Sequence, residues 1–163
     1  KSSTNEYLHE KLELEKWLKN LVNVRKVSIR NPRLFTFYGP GCPNDRGFVF
    51  SEFIYDAMAG KNLRIKSNPD NLRSYLYPVD AVTQIMEFCK IKPPSYTQVG
   101  SKIPISIAEL AEKIGSKFEV KVKYDFTHNE KEKYVPKDVP SELTVELEEG
   151  IERWSLWIKQ QHH

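Results

Sequence analysis

Several patterns that would indicate a particular class of protein are scarce or absent in these 163 residues. Cys42 and Cys89 are the only cysteines and lack Cys-x-x-Cys spacing, so we expect unpaired thiols of a cytoplasmic protein. No apolar run approaches the roughly eighteen residues of a membrane-spanning helix, so no membrane association is predicted. A net charge of +3 is too small to indicate nucleic-acid binding. His9 and His128 have no partners at metal-ligand spacing, which predicts no metal site.

A glycine-rich phosphate turn is also missing. A dinucleotide site needs a Gly-x-Gly-x-x-Gly turn between a strand and a helix, so that backbone N–H groups meet the pyrophosphate. Gly39-Pro40-Gly41 is too short and is interrupted by proline. We therefore expect this chain alone to bind a dinucleotide negligibly.

What the sequence does contain is a regular alternation of helical and extended patterns, which predicts an α/β fold. Its length fits one domain or a large piece of a bigger one. Helices are predicted over 5–22, 48–59, 78–88, from 106 to just before Gly115, and over 145–159. Strands are predicted over 27–38 (interrupted at Asn31-Pro32), 63–65, 73–77 and 120–124. The charged segment 128–142 is predicted to be a solvated loop.

Local signals define some of these helices closely. Gly60 stands where a C′ glycine belongs, and Ser106 with Glu109 forms a capping box. The first helix carries an apolar stripe at helical spacing, which predicts that it packs on a larger body. The members of the stripe are Leu8, Leu12, Leu18, Leu21 and Val22, widened by Leu14 and Trp17.

Tyr7-x-x-x-Lys11 is the most informative stretch. A spacing of four places both side chains on one helix face, with Cβ atoms roughly 5–6 Å apart. A nearby ammonium lowers a tyrosine pKa from its ordinary value of about 10, which suits acid/base chemistry. The same spacing occurs by chance in many helices, so a surface lysine beside a half-buried tyrosine is the alternative interpretation.

Further motifs follow in a fixed order: Tyr38-Gly39-Pro40, Arg73-x-x-x-Tyr77-x-x-Asp80 and Gln98-Val99-Gly100. Together with Tyr7-x-x-x-Lys11-x-x-x-Glu15, this order resembles the extended short-chain dehydrogenase/reductase family of NAD-dependent nucleotide-sugar epimerases and dehydratases. The resemblance covers nearly the whole chain and implies a Rossmann-type fold. The chain would supply the last sheet strands and helices plus a small α/β substrate-binding subdomain.

The resemblance implies catalytic and cofactor roles for four residues. Tyr7 would be the acid/base that removes or returns a sugar hydroxyl proton. Lys11 would lower the Tyr7 pKa and hydrogen-bond the nicotinamide ribose. Leu34 and Phe35 would flank the nicotinamide, although a core strand explains them equally well.

It also implies two substrate-binding residues. Arg73 would bind the diphosphate of the sugar nucleotide, for which a planar, always charged guanidinium is suited; a solvated surface arginine is the alternative. Thr36 falls where many relatives have asparagine, which shortens the reach of that contact. Asp80 is predicted to be a helix cap rather than a ligand, and Glu15 to be structural.

The resemblance further implies that this is the C-terminal half of an enzyme, with NAD bound mainly by a missing N-terminal half. Residues 1–45 would end the NAD-binding portion, and 46–163 would form mainly the substrate-binding subdomain. A nucleotide-diphosphate sugar would be the substrate, and a homodimer would form through helices of the Rossmann portion. Epimerase, 4,6-dehydratase, decarboxylase and ketoreductase remain open. The alternative function is a non-catalytic binding or scaffolding fragment of the same fold.

Overall fold

The structure, a computed structural model, describes residues 2–43, 47–90, 97–127, 130–139 and 144–161. Within these ranges the helices are α1 (Ser2–Arg25), α2 (Val49–Met58), α3 (Pro78–Lys90), α4 (Ile107–Phe118) and α5 (Leu147–Gln161). The strands are β1 (Pro32–Leu34), β2 (Thr36–Phe37), β3 (Leu63–Ile65), β4 (Leu72–Leu76), β5 (Thr97–Val99), β6 (Pro104–Ser106), β7 (Val122–Tyr124) and β8 (Lys133–Tyr134).

The strands form three small sheets that are mostly parallel. β1 pairs with β5 and β3 pairs with β7, both parallel. β4 is the centre of the third sheet, in which β2 and β8 are parallel to it and β6 is antiparallel. Parallel neighbours need crossover connections, which helices supply here. The predicted α/β class is therefore confirmed.

The main core lies where α2, α4 and α5 pack around β3 and β4. Leu63 and Ile65 are fully buried, and Trp154 on α5 is inaccessible to solvent. The Tyr38 ring stacks on Phe50, with centroids 4.5 Å apart. These contacts connect the end of β2, the start of α2 and the C-terminal helix in one cluster.

The apolar stripe of α1 is only partly covered within the described chain, where Leu18 and Leu21 are half-buried. Leu8 is 55% exposed and Trp17 is 58% exposed, so the packing that the stripe predicts is made only in part here. One specific tie holds α1 to the body: the Arg33 guanidinium donates two hydrogen bonds to the Glu15 carboxylate, at 2.7 and 2.6 Å. Glu15 is thus structural, as predicted. No described helix combines the length and apolarity needed to cross a bilayer.

A predicted strand and a predicted helix end differ from the structure. The first part of the strand predicted over 27–38 is not formed, and β1 starts only at Pro32. The helix predicted to stop before Gly115 continues to Phe118, and its C-cap is Glu119 in the left-handed region. Gly115 instead permits close packing, because a Cβ there would lie 3.0 Å from the Val120 carbonyl oxygen. By contrast Gly60, at φ 69°, follows α2 as predicted.

The segment predicted to be a solvated loop over 128–142 is non-regular over most of its described part but contains β8, which was not predicted; positions 128–129 and 140–142 lie outside the described residues. β6 was not predicted at all. Asp80 does not cap its own helix. Its buried carboxylate accepts hydrogen bonds from the backbone N–H groups of Thr144 and Val145 at 2.8 and 3.2 Å, which fixes the approach to α5.

Candidate functional site

An open cavity of about 520 Å³ lies beside β4, and we call it the Arg73 cavity. Its walls come from six parts of the described chain: β2, the start of α2, the β3–β4 connection, β4 itself, the start of α4 and the segment 130–134. The lining includes Thr36, Val49, Lys66, Asn68, Arg73, Tyr75, Glu130, Glu132 and Tyr134. The structure thus brings together Thr36 and Arg73, the two residues predicted to bind substrate.

The N-terminus of α2 forms one wall of this cavity. Its N-cap is Phe48, whose side chain makes no cap hydrogen bond to the first amide groups of the helix. Gly47, Phe48, Val49 and Phe50 all line the cavity. The partial positive charge at a helix N-terminus favours an anion at this place.

Two cationic side chains face the same cavity. Arg73 on β4 has an exposed side-chain fraction of 22%, and its Nη1 donates to the Leu72 carbonyl at 3.1 Å. Lys66, just after β3, is exposed and pairs with Glu52 at 3.2 Å. With the α2 N-terminus, these groups make one side of the cavity suitable for a phosphate-bearing ligand.

A carboxylate from segment 130–134 pairs with the Arg73 cation. The Arg73 Nη2 donates to the Glu132 Oε2 at 2.5 Å. The Glu132 backbone is held in place, because its N–H donates to the Asn71 Oδ1 at 2.7 Å and its carbonyl accepts from the Leu72 N–H at 2.9 Å. Tyr134 follows in β8 and packs on Phe35, with ring centroids 4.7 Å apart.

Tyr75 gives the cavity a neutral polar group. Burial raises its pKa to about 12, so it is a phenol at ordinary pH. Tyr75 also lines a second cavity of about 260 Å³, which lies between α4 and the chain entering α5. Tyr38 lies beside that second cavity, and burial raises its pKa as well.

The predicted catalytic pair lies elsewhere, on α1. The Lys11 Nζ is 5.3 Å from the centre of the Tyr7 ring, so the two side chains do meet on one helix face. Tyr7 is 62% exposed, and neither residue lines the Arg73 cavity. Their catalytic role stays a prediction.

The predicted cofactor contacts Leu34 and Phe35 lie at the end of β1. Leu34 is 48% exposed, and the Phe35 N–H donates to the Val99 carbonyl at 2.9 Å. Phe35 is half-buried, against Tyr134. Neither lines the Arg73 cavity, and their role also stays a prediction.

Sequence reasoning missed Lys66 and Glu132. A signal existed for Lys66, a cation placed directly after a short apolar strand. Glu132 gave none, because it lies in a charged stretch whose pairing with β4 is a contact between residues about sixty positions apart. Among the described residues, no group of three or more His, Cys, Asp or Glu could hold a metal ion.

Comparison with known proteins places the chain in a family. The model of the NAD dependent epimerase/dehydratase family matches residues 2–93. UDP-glucuronic acid decarboxylase 5 of Arabidopsis thaliana is 31% identical over 88 residues, which are 54% of this chain and 26% of that protein.

Solved structures share the fold over almost the whole chain. The UDP-glucose 4-epimerase of Thermotoga maritima, with UDP-glucose, has a TM-score of 0.79 at 18% identity, covering 94% of this chain and 53% of its own. The UDP-glucuronic acid 4-epimerase of Bacillus cereus, with UDP-glucuronic acid and NAD, has a TM-score of 0.76 at 20% identity, covering 93% and 51%.

The chain therefore spans about a quarter of the curated relative and about half of each of these structures. The family model covers more than half of the 163 residues. The chain belongs to the NAD-dependent epimerase/dehydratase family.

Proposed function

We propose that this chain is the substrate-binding half of an NAD-dependent nucleotide-sugar epimerase or dehydratase, and that it carries the catalytic tyrosine and lysine. The observation that carries the proposal is the Arg73 cavity, where a guanidinium, an ammonium and an uncapped helix N-terminus face one space. The proposal covers both reaction types, because a diphosphate and a sugar hydroxyl are common to their substrates.

The diphosphate is the part of the ligand that this cavity suits best. A guanidinium donates two parallel hydrogen bonds to phosphate oxygens, and the N–H groups of the first helical turn donate to the same anion. Thr36 adds a hydroxyl at the cavity wall, and Asn68, Ser67 and Tyr75 add polar groups. A uridine diphosphate is the natural probe, because the relatives named above act on or bind UDP-sugars.

The proton-transfer chemistry belongs to Tyr7 and Lys11 in this proposal. A tyrosine side chain can take the proton of a sugar hydroxyl as a phenolate and return it as a phenol, and a lysine on the same helix face can accompany it. The 5.3 Å distance from Lys11 Nζ to the ring centre supports the pairing. The pair lies on the exposed surface of α1, so the sugar would have to reach it from the Arg73 cavity.

The described residues do not fit the pyrophosphate of NAD. In the turn at Gly39-Pro40-Gly41, the Cys42 N–H already donates to the Gly39 carbonyl at 3.1 Å. A Cβ at Gly39 would lie 3.0 Å from Pro78, so no open cradle of backbone N–H groups exists there. In this proposal NAD is held mainly by a second half, and no step of the reaction is assigned to NAD within this chain.

A non-catalytic binding or scaffolding fragment is the second candidate. The observation that favours it is the exposure of Tyr7, whose side chain is 62% accessible and outside the Arg73 cavity. The exposed stripe on α1 supports a further proposal, that α1 packs on a second subunit or on the second half, as a homodimer through the helices would require.

Calorimetric titration of the chain with UDP tests the proposed site. Arg73→Ala should weaken UDP binding by about 10- to 150-fold, the range of roughly 1.5–3 kcal/mol for a charged hydrogen bond. Arg73→Lys should recover only part of this loss, because an ammonium lacks the planar geometry.

Arg153→Ala is the matched control, since Arg153 is a half-exposed arginine on α5 that pairs with Glu149 at 2.6 Å. It should bind UDP as the unchanged chain does. Equal affinities for the Arg73→Ala and Arg153→Ala variants would overturn the proposed site.

A further inference from the structure

The Arg73 cavity contains its own competitor for the proposed ligand. Without ligand, the Arg73 Nη2 is already paired with the Glu132 carboxylate at 2.5 Å. Its Nη1 donates to the Leu72 carbonyl, so two of the guanidinium nitrogens are engaged within the chain. An anion that approaches this guanidinium must therefore displace the Glu132 carboxylate from Arg73 Nη2.

The pairing is built into the fold and is not a chance meeting of two long side chains. Glu132 immediately precedes β8, which runs parallel to β4 with Arg73 opposite Tyr134. Backbone hydrogen bonds to Asn71 and Leu72 hold both the N–H and the carbonyl of Glu132. A neighbouring ion pair, Lys131 with Asp70 at 2.6 Å, ties the same segment to the β3–β4 connection.

The carboxylate itself remains free to leave. The Glu132 side chain is 61% exposed, whereas that of Arg73 is only 22% exposed. Rotation about the side-chain bonds of Glu132 would carry its charge into solvent while its backbone stays paired with β4. The pair is accordingly in the class of exposed ion pairs, worth at most about 1 kcal/mol.

We propose that Glu132 competes with the ligand of the Arg73 cavity: its carboxylate holds the guanidinium in the absence of ligand and is displaced by the phosphate groups of a diphosphate. This inference rests on the proposed function, because it takes the diphosphate as the ligand of Arg73. A ligand without a phosphate group gains nothing from the guanidinium and leaves the carboxylate in contact, and a single phosphate gains less than a diphosphate does. A diphosphate gains from Arg73, Lys66 and the α2 N-terminus together.

Titration of the 163-residue chain with UDP, UMP and uridine separates this role from a general charge effect. Glu132→Gln should raise the affinity for UDP about five-fold, which corresponds to the ~1 kcal/mol of an exposed pair. The gain should be smaller for UMP and absent for uridine. Glu132→Gln should bring no gain in an Arg73→Ala background, because the contact it removes is then already lost.

Glu130→Gln is the matched control. Glu130 is exposed, lines the same cavity and lies two residues away, and the substitution removes the same charge. It should change UDP affinity less than about two-fold, the weak effect expected of a solvated charge that makes no contact.

The two failures can be told apart. If Arg73→Ala weakens UDP binding but Glu132→Gln leaves it unchanged, or if Glu130→Gln raises it equally, the role of Glu132 is overturned and the diphosphate site stands. If UDP binds neither the unchanged chain nor the Glu132→Gln variant, or if Arg73→Ala has no effect, the proposed site falls and the role of Glu132 with it.

Discussion

At the scale of single residues, two arginine–glutamate pairs connect distant segments of this chain. The Arg73 side chain is paired with Glu132 of segment 130–134, and Arg33 holds α1 against β1 through Glu15. The two pairs differ in geometry. Arg33 makes two parallel hydrogen bonds to Glu15, the stronger and more directional arrangement, whereas Arg73 donates a single hydrogen bond to Glu132. The first is therefore suited to fixing an element, and the second to exchange with a ligand.

The Glu15 pair makes the attachment of α1 depend on pH. The hydrogen bonds from Arg33 hold the pKa of Glu15 below its ordinary value of 4.5. A carboxyl with a lowered folded pKa stabilises the folded state above its unfolded pKa, and this contribution is lost as pH falls through the lowered value. Amide hydrogen exchange in α1, measured relative to the intrinsic exchange rate at each pH, should therefore accelerate below about pH 4.5 in the unchanged chain.

Glu15→Gln should accelerate that exchange already at pH 7 and remove its dependence on acid pH, apart from contributions common to both proteins. Glu13→Gln is the control, because Glu13 pairs only with Lys16 on the same helix. An acid response of α1 that is unchanged by Glu15→Gln would show that other groups hold the helix.

At the scale of elements, α5 is fixed by a close approach that allows only glycine. A Cβ at Gly150 would lie 2.0 Å from the Tyr38 hydroxyl oxygen, and both residues are buried. Tyr38 is packed on Phe50, so it cannot move aside without disturbing the core. Asp80 fixes the chain just before α5, and Lys113 and Lys117 of α4 pair with Glu148 and Glu152 of α5.

Gly150→Ala should consequently lower the free energy of unfolding by about 3 kcal/mol or more, as expected for overpacking in a core that cannot relax. Denaturant titration measures this loss. Gly60→Ala is the control, because no atom lies within 4 Å of its Cβ position and only the left-handed φ of 69° is unfavourable. It should lose only about 1–2 kcal/mol. Equal losses would mean that backbone strain, not the contact with Tyr38, governs both positions.

Elements with strong local signals were predicted from the sequence, and elements that depend on distant pairing were not. The capping box of Ser106 and Glu109 marked the start of α4, and its reciprocal hydrogen bonds are present. β8 could not be predicted, because Lys133 and Tyr134 are exposed and gain their strand conformation from pairing with β4. The prediction that α4 ends before Gly115 was wrong, because glycine is favoured both at a helix end and where a helix packs closely against neighbouring backbone, and the sequence does not distinguish the two.

The residues of the candidate site also fall into those predicted from local motifs and those placed by distant pairing. Thr36 and Arg73 were placed by their motifs, and the cavity brings them together. The wall formed by Glu130 and Glu132 depends on where a distant segment lies against β4, which no local pattern in a charged stretch specifies.

At the scale of the whole molecule, apolar surface is distributed unevenly. Around α2, α4 and α5 it is buried, with Ile54, Leu110 and Trp154 inaccessible to solvent. Along α1 large apolar side chains remain exposed, among them Leu8, Leu14 and Trp17. The proposed second half would cover this side and would bring the NAD-binding turn that the described residues do not provide.

The whole-molecule prediction is that the chain alone binds NAD negligibly and does not turn over a UDP-sugar. Its addition to a cofactor-binding half from a relative should restore NAD binding and turnover, monitored by calorimetry and by sugar-nucleotide product. In that assembly Tyr7→Phe should lower turnover about 10²- to 10⁴-fold, with little change in UDP affinity. Micromolar NAD binding by the chain alone, or near-normal turnover with Tyr7→Phe, would contradict the division of roles.

The hydrogen bonds from Arg33 to Glu15, which we call the clamp, also fix the position of Tyr7 further along α1. Tyr7 lies eight residues before Glu15, which is about 12 Å along a helix axis. A tilt of about 10° at the clamp would move the phenol by about 2 Å. A misplacement of about 1 Å can lower a reaction rate about 100-fold. The rate of the proposed proton transfer would therefore depend on a residue pair two helical turns away from Tyr7. Substitutions of Arg33, which does not contact the sugar in this proposal, should therefore lower the rate of proton transfer at Tyr7.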